Sequence, residues 1–147
     1  MGQQVQFFFK NVHLNLSRRK EIKEQLAGLF KKEGVKIKQI SIVFCSDKFL
    51  LEINRDFLAH HYYTDIITFH YNQKNEPVIG ELYISADRVK ENARNLGTTF
   101  KEEIHRVIFH GCLHLCGYND KSSQQIKKMR EREDFYLRSY FSKLAAK

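Results

Sequence analysis

Two histidines four residues apart, His110 and His114, are followed by a glycine at 117 and an acid, Asp120. No other feature constrains the chain as tightly. On a helix four residues advance about 400°, so the two imidazoles project from one face, one turn apart. That puts two nitrogens within reach of one metal ion, as on the helix of zinc proteases. Gly117 lets the chain leave the helix, and Asp120 can then return to the same face with an oxygen. A bare His-x-x-x-His pair is often coincidence; the turn and the acid behind it make this one a candidate site. Two histidines and one carboxylate leave a coordination position open, the pattern of a catalytic rather than a structural ion.

The flanking residues narrow the chemistry. A metalloprotease helix carries Glu directly after the first His as general base; here that residue is Gly111, so a peptidase is poorly supported. Cys112 and Cys116 lie about 200° and 240° around the helix from His110. They share the opposite face with Ile104, Val107 and Ile108 and read as small core hydrophobes rather than ligands.

The rest of the chain alternates strand and helix patterns. Residues 5–9 are apolar and aromatic and read as a strand. Ser17 is placed to cap a helix carrying Ile22, Leu26, Leu29 and Phe30, stopped by Gly34. Residues 35–44 alternate apolar and polar as a strand, and Ser46 or Asp47 caps a helix with Leu50, Ile53 and Phe57. Residues 59–64 are irregular. Residues 65–69 and Val78–Ser85 are β-branched strands around a polar turn. Ala86–Leu96 is a helix ended by Gly97. Thr98 or Thr99 caps the helix Phe100–Leu115, with Glu102 placed for a capping box. An amphipathic helix over about 122–144 closes the chain. Four strands and five helices in mixed order predict an α+β fold, a small mixed sheet packed with helices, one of them the metal helix.

With 147 residues, one proline (Pro77), and no repeat or linker, the chain reads as a single domain over 1–147. Hydrophobic residues make up 42%, enough for a packed core. No apolar run approaches the roughly 18 residues of a membrane span. MGQQVQFFFK lacks the build of a signal peptide. Together with only three cysteines (Cys45, Cys112 and Cys116), this predicts a cytoplasmic protein. The net charge of +8, from 25 Lys+Arg against 17 Asp+Glu, fits a nucleic-acid partner and equally an ordinary basic surface.

The segment HGCLHLCGYND resembles the signature H-G-x-L-H-L-x-G-Y-D-H of the YbeY family, at His110, Gly111, Leu113, His114, Leu115, Gly117 and Tyr118. Asn54-Arg55-Asp56-Phe57 followed by Thr64-Asp65-Ile66-Ile67-Thr68-Phe69 is similar to that family's N-x-x-Y/F … T-D-V-L-S-F block. Gly80-Glu81-Leu82-Tyr83-Ile84-Ser85 resembles its G-D-I-x-I-S strand, and Glu103 stands where the family often has an acid. The resemblance spans most of residues 51–118.

The resemblance implies a cytoplasmic, single-strand-specific endoribonuclease. It would act in ribosomal RNA maturation, at the 3′ end of the small-subunit RNA, and in ribosome quality control. Its partners would be ribosomal RNA and ribosome-associated proteins. It implies one zinc ion, held by the motif residues His110, His114 and Asp120, with His114 helping to activate the metal-bound water. Two positions depart from the pattern. Asp120 replaces a third histidine, which keeps a competent ligand but adds negative charge and broadens the choice of divalent transition metal. Leu58 replaces an arginine tied to phosphate binding; Arg55, His60 and His61 are the candidate substitutes, and a solvated basic loop is the alternative for each. Asp65 and Glu81 are candidate general bases because they fall in family-like blocks. Glu103, on the His110 face but roughly 10 Å along the axis, is a supporting or capping group rather than a ligand. Phe57, Tyr62, Tyr63 and Tyr118 are candidates for stacking on bases.

Three functions compete: an RNA-cleaving metalloenzyme, an RNA- or ribosome-binding assembly factor with a structural metal, and a metal-dependent hydrolase of another substrate.

Overall fold

The alternating stretch Ile37–Cys45 is strand β2, near the middle of a four-stranded sheet, in the computed structural model, which describes residues 4–59, 64–72 and 75–146. Around it run β1 (Val5–Lys10), α1 (Arg19–Lys32), α2 (Asp47–Leu58), β3 (Ile66–His70), β4 (Val78–Ser85), α3 (Ala86–Leu96), α4 (Phe100–Leu115) and α5 (Ser123–Ala145). The strand order is β1-β2-β4-β3. β1, β2 and β4 are parallel, and β3 returns antiparallel on the edge, pairing Thr68 with Leu82. The fold is α+β with a mixed sheet, as the pattern of elements predicts.

Strand alternation divides the sheet's faces. Ile40, Ile42, Phe44, Leu82 and Ile84 belong to the main core with Ile22, Leu26 and Phe30 of α1 and Ile104, Ile108 and Leu113 of α4. In a smaller, separate cluster Cys45 and Ile67 meet Leu50 and Ile53 of α2. Burying side chains of this size contributes about 1.5–3 kcal/mol each.

The helix starts follow the sequence reading at α2 and depart from it at α1, α4 and α5. Ser46, Thr99 and Ser122 cap α2, α4 and α5, each hydroxyl accepting from a backbone N–H in the first turn. Ser17 does not cap α1. Arg18 intervenes in a left-handed conformation, φ 58°, and is itself the N-cap without a side-chain bond. At α4 the Glu102 carboxylate accepts from the Thr98 hydroxyl instead of closing a capping box. The full box is at Ser122 and Gln125, which the sequence reading missed.

Two glycines set how closely α4 approaches the sheet. A Cβ on Gly111 would stand 2.6 Å from Leu82 Cδ2 and 2.7 Å from Ile66 Cδ1. A Cβ on Gly80 would stand 2.8 Å from Leu115 Cδ1. The residue after His110 therefore packs on β3 and β4, and a glutamate there would have no room. The missing protease base is a consequence of packing.

Candidate metal centre

His110 and His114 sit in the last two turns of α4, their ring centroids 4.6 Å apart. Gly117, at φ 103°, takes the chain out of the helix, and Tyr118 N–H closes the turn onto Leu113 O at 3.1 Å. This brings Asp120 back over the helix end. Asp120 Oδ2 lies 3.2 Å from His110 Nε2 and 3.2 Å from His114 Nε2, and the two Nε2 atoms are 3.1 Å apart. Tetrahedral ligands about 2.0–2.1 Å from one zinc ion stand about 3.3 Å from each other. The three atoms form nearly that triangle, and they are the group of metal-ligand type found among the described residues.

The far side of each imidazole fixes which nitrogen is free. His114 Nδ1 donates to the Tyr118 carbonyl at 2.9 Å. His110 Nδ1 donates to Glu133 Oε2 at 2.6 Å. A carbonyl and a carboxylate can only accept, so the proton of each neutral ring sits on Nδ1 and the Nε2 lone pairs face the Asp120 oxygen. Three electron-rich atoms at this separation repel unless a cation lies among them. Burial by itself would lower the His110 pKa, but the bond to Glu133 and the charges of Glu133, Asp120 and Asp65 outweigh it, and the net direction is upward. The field that favours a proton on this ring also favours a metal ion beside it.

Glu133 is the residue of the candidate site that the sequence reading missed. It is 5% exposed on α5. Its other oxygen, Oε1, accepts from Arg106 Nη1 at 2.9 Å, and Arg106 Nη2 reaches Asp134 at 2.7 Å. A signal existed: Met129, Glu133, Tyr136 and Tyr140 fall on one buried stripe of α5, so a charged residue interrupts an apolar face. Metal-bound histidines commonly donate their second N–H to such a carboxylate.

The triangle lies where two cavities meet. One, of about 400 Å³, runs between α4 and α5 past Glu103, Arg106, Val107, Ile126, Met129 and Glu133. The other, of about 480 Å³, runs along β3 past Asn54, Leu58, Thr68 and His70. Asp65, His110 and Asp120 line both. Asp65 also accepts from Asn92 at 3.3 Å. Its burial raises the pKa of its carboxyl, against the opposing charge of His110. Burial likewise raises that of Glu103, opposed by Arg106 and reinforced by Asp65.

Other candidates stand elsewhere. Glu81 accepts from Tyr71 and Tyr83 hydroxyls at 2.7 and 3.0 Å; it neighbours Gly80, which faces α4, and so points to the other side of the sheet, away from the triangle. Arg55 is ion-paired with Asp56 on the exposed side of α2 and lines neither cavity. His60, His61, Tyr62 and Tyr63 fall outside the described residues. The Tyr118 hydroxyl donates to Glu33 at 2.7 Å, and its half-buried ring packs against the main core. Phe57 is 73% exposed, edge-on to Phe69. Cys112 is fully buried and Cys116 partly so; burial pushes the Cys116 thiol up to about 12 and that of Cys112 well above its usual value. Neither supplies a thiolate, as expected for core residues.

Two imidazoles and a carboxylate converging on one point of an α+β scaffold define a candidate metal centre in an open cleft. Comparison with known proteins identifies the lineage. The family model for endoribonuclease YbeY matches residues 5–141. The endoribonuclease YbeY of Cytophaga hutchinsonii is 46% identical, covering 93% of this chain and 96% of that protein. That of Parabacteroides distasonis is 41% identical, covering 88% and 91%. The solution structure of a Thermotoga maritima protein aligns with a TM-score of 0.68 at 26% identity, covering 95% of this chain and 92% of that one. The chain belongs to the endoribonuclease YbeY family.

Proposed function

We propose that this protein is a metal-dependent endoribonuclease that hydrolyses single-stranded RNA, with ribosomal RNA as its substrate, in maturation of the small-subunit 3′ end and in ribosome quality control. The observation that carries the reading is the triangle of His110 Nε2, His114 Nε2 and Asp120 Oδ2, with edges of 3.1–3.2 Å, at the junction of two open cavities. One zinc ion fits this donor set. Bound there, it would lower the pKa of a coordinated water and polarise a phosphoryl oxygen.

The chain's own residues supply the rest. Glu133 and the Tyr118 carbonyl hold the two rings in the ligand tautomer. Asp65, bordering both cavities, takes the proton of the attacking water; burial, which raises its pKa, suits it to that task. The excess of positive charge holds the RNA backbone. Arg55, with His60 and His61 just after α2, is assigned to the incoming strand, and Phe57 to stacking on a base. The setting is the cytoplasm, beside ribosome-associated proteins.

The second reading, an assembly factor whose metal is structural, draws on Leu58, which lines the β3 cavity where the family pattern places an arginine. Incubating the zinc-loaded protein with single-stranded and structured RNA, beside His114→Ala, separates the two. Cleavage of the single strand, lost in the variant, supports the enzyme. Tight RNA binding without cleavage supports the assembly factor.

A further inference from the structure

We propose that the cavity between α4 and α5 seats one base of the RNA strand beside the metal triangle, and that the Glu103 carboxylate reads that base as guanine. The inference rests on the reading of the protein as an RNA-cleaving enzyme.

Glu103 is 6% exposed and lines this cavity. Among the described residues its carboxyl accepts no hydrogen bond and stands in no ion pair. The nearby Arg106 is engaged by Glu133 and Asp134. The side chain is largely buried, and its carboxyl oxygens open into this cavity with no protein donor of their own among the described residues. The natural complement is a ligand that brings N–H groups.

Geometry says where such a ligand comes from. Glu103 precedes His110 by seven residues, so the two share a helix face roughly 10 Å apart along the axis. That is the kind of span that separates a backbone phosphate from the outer edge of its own base. A strand with its phosphate at the triangle sends one nucleotide to each side, and a cavity opens on each side. The α4–α5 cavity has apolar walls: Val107 and Met129 are buried, and Ile126 stands 52% exposed at its edge. Such surfaces cover the faces of an unpaired base while its edge is read by hydrogen bonds.

The chemistry of the edge selects the base. An ionised carboxylate only accepts. Guanine offers two adjacent N–H groups, from its ring nitrogen and its amino group, which match the two oxygens of one carboxylate. Adenine and cytosine place an acceptor beside the donor, and uracil places acceptors on both sides of one. A second metal ion is a poorer occupant: Glu103 is not in the group of ligand atoms that lie within 4.8 Å of one another.

The test reads binding and cleavage separately. Isothermal titration of the zinc-loaded protein with the 5′-monophosphates of guanosine, adenosine, cytidine and uridine should show guanosine bound tightest, by roughly 10-fold or more for a bidentate pair. Glu103→Gln should erase the preference while keeping its circular dichroism and zinc content. Ile126→Ala, at an exposed position that the fold does not need, should weaken all four nucleotides together. On RNAs differing at one base beside the cut, the wild type should favour guanine and Glu103→Gln should not. Equal binding of the four nucleotides, or a guanine preference that survives Glu103→Gln, overturns the proposal. Cleavage without base preference would refute the subsite and leave the enzyme standing. Guanosine preference without cleavage would do the reverse.

Discussion

Glu133 Oε2 accepts from His110 Nδ1 at 2.6 Å, so a carboxylate on α5 fixes the tautomer of a ligand carried by α4. The contact couples helix packing to the metal centre, because Arg106 pins the same carboxylate from the other side. Glu133→Gln keeps an acceptor but removes the charge. It should weaken zinc binding about 10- to 100-fold, measured by competition with a chromophoric chelator, with the helical circular dichroism retained.

Gly111 permits the close approach of α4 to β3 and β4. Gly111→Ala would force a methyl against Leu82 and Ile66, both held within the sheet. Overpacking of this kind costs about 1–3 kcal/mol. The midpoint of thermal unfolding should fall by several degrees, whereas an alanine at Gly28, which has nothing within 4 Å, should not lower it.

Much of this was legible in the sequence, for definite reasons. His110 and His114 announce themselves because helix period alone puts them together, and Asp120 because Gly117 is the residue that permits a return. The strands and helices follow from alternation and caps. What escaped depends on tertiary packing. Glu133 reaches the site only because α5 packs on α4, and Ser17 loses its cap to a left-handed Arg18 that no pattern marks. Glu81 and Asp65 look equivalent in family-like blocks; strand direction sends one away from the cavities and the other between them.

A second network ties the end of α1 to α5. The Glu33 carboxylate accepts from the Tyr136 hydroxyl, from Arg132 at 2.6 Å and from the Tyr118 hydroxyl at 2.7 Å. Burial alone would raise its pKa, but these bonds outweigh it and hold it below the ordinary 4.5. A carboxyl depressed in the folded state stabilises above its unfolded pKa, and that contribution fades as pH falls through the folded value. Glu33→Gln should therefore destabilise by about 1–3 kcal/mol near neutral pH. In urea titrations across pH the gap to wild type should close below 4.5; a constant gap would contradict the assignment.

Leu58 is 40% exposed and lines the β3 cavity. Leu58→Arg places a guanidinium beside the path proposed for the strand. It should lower KM for single-stranded RNA several-fold, and the slope of log affinity against log salt should steepen by about 0.7 for one added phosphate contact.

The central claim is that His110, His114 and Asp120 together hold the ion on which RNA hydrolysis depends. Its most direct test is a zinc titration of chelator-stripped protein, following cleavage of a single-stranded RNA, with bound metal measured by elemental analysis. The account predicts no cleavage without metal, a plateau at one zinc per chain, and the loss of both metal and cleavage in Asp120→Ala and His114→Ala while the fold is kept. Full metal content in Asp120→Ala, or cleavage by the stripped protein, would contradict it.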